Sequence, residues 1–110
     1  MNAEYIVVIT TAPSREVAGS IAQAVVGKRL AACAQITGPV SSTYWWKGAL
    51  ESADEWRIDF KTRSKLYPAL EQALKAVHPY DTPEIVAVPI GAGYDRYIAW
   101  LGNETAEHGA

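Results

Sequence analysis

The length, composition and charge of the chain limit both its architecture and its partners. The chain has 110 residues, of which 49% are hydrophobic, and this size is typical of one domain with a single core. Its 10 basic and 12 acidic residues are interspersed, so no basic stripe is available to neutralise nucleic-acid phosphates. The single cysteine, Cys33, excludes an intramolecular disulfide. We therefore expect one domain that does not bind nucleic acid.

The amino terminus has no recognisable targeting or membrane signal. The apolar run in MNAEYIVVITTAP is too short for a transmembrane span and lacks the basic start of a signal peptide. With the lone cysteine, this indicates a reducing, cytoplasmic location and no membrane partner. We predict one domain over residues 1–110, with an ordered core at about 4–102 and a flexible tail at 103–110.

The first half of the chain alternates strand and helix patterns. EYIVVITT is a nearly continuous β-branched run, which predicts a strand covered on both faces. Ser14 then precedes a helical pattern with an apolar residue at every fourth position, and this pattern ends at Gly27. RLAACAQI predicts a second buried strand, and VSSTYWW continues it to a turn at Lys47-Gly48.

The second half repeats the alternation. Charged and apolar side chains alternate in the order Glu55, Trp56, Arg57, Ile58, Asp59, Phe60 and Lys61. This period predicts a strand with its apolar side chains in the core and its charged side chains in water. A helix capped by Ser64 or Tyr67 follows and ends before Pro79, and PEIVAVPI predicts a fourth strand. A short helix with apolar residues between 94 and 101 completes the domain.

This order of elements predicts an α+β fold. It is a ferredoxin-like βαββαβ sandwich with an extended β2-β3 hairpin and a short C-terminal helix. The hairpin, from Val40 to Asp54, is too long for two helices to cover, and it carries Tyr44, Trp45 and Trp46. These aromatic residues could cap the open end of the sheet within one chain. Because a long two-stranded arm is marginally stable alone, we expect instead a closed homo-oligomer.

Four segments of the chain carry a resemblance to a known family. They are VVITTAPSREVAGSIAQAVVGKRLAACAQI, SSTYWWKGALE, EWRIDFKTRSKLYPALEQAL and HPYDTPEIVAVPI, all within about residues 5–101. In order and spacing they resemble successive blocks of the CutA family of divalent-cation tolerance proteins. The resemblance implies a ferredoxin-like fold, a tight homotrimer whose subunits join strands, a cytoplasmic location in bacteria and a role in tolerance to copper and other divalent metals.

The stretch HPYDTPE, from His78 to Glu84, is the candidate metal site. Imidazole and carboxylate groups suit Cu(II) or Zn(II), so His78 is the candidate ligand, with Asp81, Glu84 and Tyr80 as possible additions. The alternative is a rigid corner, in which His78 ends the second helix and its ring bonds a free helix carbonyl. We favour the corner, because one histidine in this short turn does not complete a coordination shell.

The resemblance also favours the corner. In CutA members with an assigned copper site, the proposed ligands include a cysteine in the first strand and two adjacent histidines at the end of the second helix. The matching positions here hold Thr10, Val77 and His78, so two of these donors are replaced by groups unsuited to copper. Cys33 lies in an apolar run typical of a buried cysteine, and His108 lies in the predicted tail. We expect weak binding of copper or another divalent cation and no required cofactor.

Three classes of function fit the sequence. The first is a non-enzymatic trimeric CutA-like protein in tolerance or response to divalent metal ions. The alternative is a PII-like sensor that binds a small molecule or nucleotide in clefts between subunits, since the resemblance extends to PII signalling proteins in fold and trimer. The third is an interaction module with an indirect metal phenotype. No Ser/His/Asp or Cys/His set has supporting context, so we predict no enzymatic activity.

Overall fold

The computed structural model describes residues 3–105, and all structural statements below concern those residues. The elements are β1 (Tyr5–Ala12), α1 (Arg15–Gly27), β2 (Cys33–Trp46), β3 (Ala49–Arg63), α2 (Tyr67–Val77), β4 (Val86–Pro89) and α3 (Asp95–Asn103). The four strands form one sheet in the order β2-β3-β1-β4, and every neighbouring pair is antiparallel. This arrangement confirms the predicted ferredoxin-like α+β fold.

Helix α1 forms where the apolar period predicts it. The Ser14 hydroxyl accepts a hydrogen bond from the Val17 backbone N–H at 3.1 Å, which satisfies one of the free donors of the first turn. The buried residues of α1 are Ala18, Ile21 and Val25, at successive spacings of three and four positions. They form the stripe that packs on the sheet.

The hydrophobic core lies on one face of the sheet. β1 contributes alternate residues such as Ile6 and Val8, and both helices α1 and α2 cover this face. Ile58 and Phe60 are fully buried there, as the alternation in β3 predicts, and Trp56 is half-buried against the core. Burying one such side chain stabilises the fold by about 1.5–3 kcal/mol. The core therefore accounts for the stability of this end of the molecule.

The opposite face of the sheet is open in the single chain, which corrects the prediction that β1 is covered on both faces. Val7 and Ile9 of β1 lie directly opposite Val88 and Val86 of β4, so these four residues share the open face. Val86 and Val88 are 45% and 46% exposed. In the predicted buried segment RLAACAQI, the strand begins at Cys33. Ala31 is buried and Ala34 and Ile36 pack against the core, whereas Gln35 is exposed, so this segment too is covered on one face only.

The long β2-β3 hairpin is present as predicted and projects beyond the core. It closes through Lys47 and Gly48, whose φ angles of 51° and 82° are those of a tight hairpin turn. Near its base, a shift in register between Thr37 and Val40 makes β2 bulge. The hairpin contributes to an elongated molecule with extents of 44 × 25 × 22 Å.

Several boundaries differ from the sequence prediction. Helix α2 starts at Tyr67 without a side-chain cap, because Ser64 belongs to a short 3-10 turn, Ser64–Leu66, that precedes it. Strand β4 is only four residues long. Helix α3 ends at Asn103, and Thr105 beyond it is fully buried. The ordered core at about 4–102 stays a prediction.

The remainder of the predicted flexible tail, residues 106–110, lies outside the described residues, and so does His108. Between residues 3 and 105, no helix is both long and apolar enough to cross a membrane. The assignment of the whole chain to one domain stays a prediction.

Candidate functional site

The candidate metal ligand His78 is the residue that ends helix α2. Its backbone N–H donates to the Leu74 carbonyl at 2.9 Å, and its own φ and ψ angles are extended. Asp81 and Glu84 lie exposed on the following turn. Within residues 3–105, no group of three or more His, Cys, Asp or Glu side chains is arranged to hold a metal ion. Among the described residues, His78 is therefore not a member of any three-ligand group of these types.

Both ring nitrogens of His78 are already engaged. The Tyr80 backbone N–H donates to Nδ1 at 3.2 Å, so in the neutral ring the proton is on Nε2. Nε2 then donates to the Thr11 carbonyl at 2.8 Å, with the Thr10 hydroxyl oxygen 3.2 Å away. The carbonyl that the ring bonds is therefore on β1, and not at the end of the helix as we predicted.

The protonation state of His78 agrees with these contacts. Burial lowers the pKa of the imidazole below its usual 6.5, and the Thr11 carbonyl and nearby Glu55 oppose this shift only in part. The ring is thus neutral at pH 7, and its one lone pair accepts the Tyr80 N–H. A cation on either nitrogen would break one of these hydrogen bonds, at a cost of about 1 kcal/mol or more. The residues present at this position do not fit a bound metal.

Tyr80 links this corner to the base of the hairpin. Its hydroxyl donates to Oε2 of Glu55 at 2.6 Å, and its ring lies 4.9 Å from the His78 ring between centroids. Burial, together with the hydrogen bond to Glu55, raises the pKa of the Tyr80 phenol above its usual range. Glu55 is only 9% exposed, which corrects its predicted place on the water-facing side of β3.

Cys33 does not supply the donor that Thr10 lacks. Thr10 is buried on the core face, whereas Cys33 is half-buried beside Tyr97 of α3, with Sγ and the phenol oxygen 3.6 Å apart. Cys33 lies opposite Lys61, which in turn lies opposite Val7 of the open face. The prediction of a buried cysteine is therefore only partly correct. Burial and Cys33 together raise the pKa of Tyr97 to about 12.

A groove of about 390 Å³ lies between α2 and the turn that follows it. Its walls include Glu71 and Lys75 from the helix and Tyr80, Asp81 and Ile85 from the turn. It therefore presents groups of both charge signs next to an aromatic ring. A second hollow of about 400 Å³ lies beside α3. Either is large enough for a small molecule.

The sequence indicated some of these residues and missed others. Thr10 and His78 are 68 positions apart, and the resemblance aligned both with proposed copper ligands of relatives. In the structure the Thr10 hydroxyl lies 3.2 Å from His78 Nε2. The bond between Tyr80 and Glu55 had no such signal, because charge alternation placed Glu55 in water. A buried acid at the base of a hairpin follows only from tertiary contacts.

Comparisons with known proteins identify relatives over nearly the whole chain. The family model for the CutA1 divalent ion tolerance protein matches residues 6–104. A Thermus thermophilus protein named divalent-cation tolerance protein CutA is 44% identical over 99 residues, which are 90% of this chain and 96% of that protein. The rice protein CutA 1, chloroplastic, is 40% identical over 102 residues, which are 93% of this chain and 58% of the rice protein. The chain thus spans little more than half of the rice protein.

Solved structures agree with these relationships. The Thermus thermophilus divalent cation tolerance protein superposes with a TM-score of 0.90 at 43% identity, covering 93% of this chain and 99% of that one. A CutA protein from Archaeoglobus fulgidus, described as periplasmic, has a TM-score of 0.88 at 38% identity and covers 91% and 97%. Sequence and fold agree over the same residues, and the chain belongs to the CutA1 divalent ion tolerance family.

Proposed function

We propose that this chain is a non-enzymatic homotrimer that serves in tolerance or response to divalent metal ions, copper among them. The observation that carries the trimer is the open apolar surface of the single chain. Trp45 and Leu50, which lie opposite each other near the hairpin tip, are 72% and 61% exposed, and Val86 and Val88 line the open face of the sheet. Soluble chains rarely leave large apolar patches in water, and a closed ring of identical subunits would cover both of these exposed regions.

The geometry of a contact between Thr10 and His78, which resembles a catalytic pair, supports the proposed absence of enzymatic activity. The Thr10 hydroxyl and the His78 imidazole are 3.2 Å apart, a distance that suits a nucleophile and its base. Thr10 is fully buried, however, and the ring nitrogen that faces it is protonated and donates its hydrogen bond to the Thr11 carbonyl. His78 therefore cannot take a proton from Thr10, and no substrate reaches the hydroxyl.

We also propose that metal binding by the isolated protein is weak, with a Kd in the micromolar range or looser, or about 8 kcal/mol at most. The exposed carboxylates of Asp81 and Glu84 are the proposed contacts. His78, the ligand predicted from the sequence, would bind a cation only by breaking one of its ring hydrogen bonds. Isothermal titration of Cu(II) and Zn(II) into the wild type and His78→Ala, with melting curves for both, tests this. Tight stoichiometric binding that the substitution abolishes without loss of stability would contradict it.

The role in tolerance needs a test in cells. In a bacterium that lacks its own member of this family, expression of the chain should raise the copper concentration that halves growth, relative to empty vector. A variant that assembles poorly, such as Trp45→Ala, should give less protection at equal protein level. Equal growth with the chain and with the empty vector would contradict the proposed role.

The second candidate function is a PII-like sensor that binds a small molecule or nucleotide in clefts between subunits. The groove beside Tyr80 favours a small-molecule ligand, since Lys75 and the acids Glu71 and Asp81 line it within one chain. Its position at a cleft between subunits is part of the proposal. Thermal shifts with a panel of nucleotides, metabolites and divalent metals would separate the two candidates. A cytoplasmic location stays a proposal, because the names of relatives include a chloroplastic and a periplasmic protein.

A further inference from the structure

We propose that His78 is a hydrogen-bonded brace, closed to divalent cations, that fixes the turn after α2 against β1 and the base of the hairpin. The brace consists of the side chains of Thr10, Glu55, His78 and Tyr80 together with the Thr11 carbonyl. These contacts all lie within one chain. The proposal therefore stands or falls independently of the proposed trimer and of the role in tolerance.

His78 joins three parts of the fold. Its backbone N–H holds the last turn of α2 through the Leu74 carbonyl, and Nε2 holds β1 through the Thr11 carbonyl. Nδ1 accepts the backbone N–H of Tyr80, which belongs to the turn. Each of these nitrogens contacts a different element, and both polar atoms of the side chain are hydrogen-bonded. The ring thus acts as a structural junction between helix, strand and turn.

Tyr80 extends the brace to the hairpin and to the groove. It is held at its backbone by His78 and at its hydroxyl by Glu55, 2.6 Å away, while its ring packs at a tilt on the His78 ring. A side chain fixed at both ends has one orientation, and this ring forms a wall of the groove beside α2. His78 and Glu55 are therefore positioning residues for the groove.

Divalent cations are excluded because hydrogen bonds of the brace occupy both ring nitrogens through which a metal would bind. A metal binds a deprotonated ring nitrogen. Here Nε2 carries the proton that it donates in a hydrogen bond to the Thr11 carbonyl, and the Nδ1 lone pair accepts the Tyr80 backbone N–H. The neighbouring oxygen is the hydroxyl of buried Thr10, a poorer donor for copper than the thiol of the copper-assigned relatives. The chain thus departs from the metal arrangement that its family implies.

Nitrogen NMR of the imidazole tests the brace directly. In the variant His108→Ala, His78 is the only histidine, so long-range proton–nitrogen correlations report its ring alone. We expect the neutral ring with the proton on Nε2, and we expect its signals to stay unchanged when excess Zn(II) is added. A proton on Nδ1, or a shift of either nitrogen at one equivalent of Zn(II), would overturn the proposal.

Amide exchange provides a second, independent readout. In His78→Ala, the Tyr80 amide loses its acceptor and should exchange about tenfold faster or more. His78→Asn should restore protection, because its side-chain oxygen can accept from the same N–H, and the neighbouring control Val77→Ala should leave it unchanged. Equal exchange of the Tyr80 amide in wild type and His78→Ala would contradict the brace. If His78→Ala fails to fold, the NMR measurement still decides the proposal.

Discussion

The two ends of strand β3 differ sharply in their surroundings. At one end Ile58 and Phe60 are fully buried between the sheet and helices α1 and α2. At the other end Leu50 is largely exposed, opposite the even more exposed Trp45 of β2. One strand therefore serves two purposes. Its core end stabilises the single chain, whereas the exposed apolar residues of its hairpin end fit the proposed contact with a neighbouring subunit.

The largest expected effect is at the core end. Phe60→Ala removes a fully buried ring and should lower the free energy of unfolding by about 3–5 kcal/mol, through lost burial and the cavity left behind. Arg57, three residues earlier, is exposed and bonds Asp59 at the surface, so Arg57→Ala should cost about 1 kcal/mol or less. Denaturant unfolding of both variants measures this difference. Similar losses would mean that the alternation of β3 is misassigned.

The next effect concerns the hairpin end. Trp45→Ala should weaken association by about 2–4 kcal/mol, as truncation of a buried interface aromatic does, while the helical content of the chain stays unchanged. Gln23→Ala, on the exposed face of α1, is the control. Sedimentation equilibrium measures the association constants. If the two variants associate equally well, the hairpin tip lies outside the interface.

The boundary between the two ends gives a smaller effect. A Cβ atom at Gly38, beside the bulge of β2, would lie 2.5 Å from Cδ1 of Trp56, whose ring packs against the core. Gly38→Ala should therefore destabilise the protein by about 1–3 kcal/mol. The control is Gly19→Ala, since Gly19 lies in α1 with open space around it and should gain up to about 1 kcal/mol from higher helix propensity. Thermal unfolding distinguishes them, and a neutral Gly38→Ala would show that the ring moves freely.

The smallest effect is the pH dependence at the brace. Because the pKa of His78 is lowered from 6.5 in the folded chain, the unfolded chain takes up its proton first as the pH falls. His78 therefore lowers stability as the pH falls below 6.5 and has no such effect above it. Unfolding of wild type and His78→Gln should show a steeper loss in the wild type over this range, and His108→Ala should behave as wild type. A steeper loss of stability in His78→Gln would mean that folding raises the pKa of His78, and it would contradict this prediction.

The sequence predicted those parts of the fold that local patterns determine. The period of α1, the cap at Ser14 and the turn at Lys47-Gly48 depend on neighbouring residues, and all three were correct. Coverage of the sheet was not predictable in the same way. A β-branched run such as that of β1 has the same composition whether a helix or a second subunit covers its other face, so its half-buried residues were expected to be buried.

The candidate site was predictable only in part for a related reason. Its composition suggested either a metal site or a corner, and the choice depends on where the lone pairs of His78 point. Those directions are set by the Thr11 carbonyl, 67 positions away, and by the Tyr80 amide, whose place in the turn follows partly from its bond to Glu55. Contacts between distant segments leave no periodic signal in a single sequence.

The mass of the native protein tests the central claim most directly. If the open sheet face and the hairpin are covered by identical subunits, light scattering at micromolar concentration should give close to three times the 12.0 kDa mass of the chain. The measurement needs no added ligand or metal. A stable species of 12.0 kDa under the same conditions would contradict the account, because Trp45, Leu50 and the open face would then remain in water.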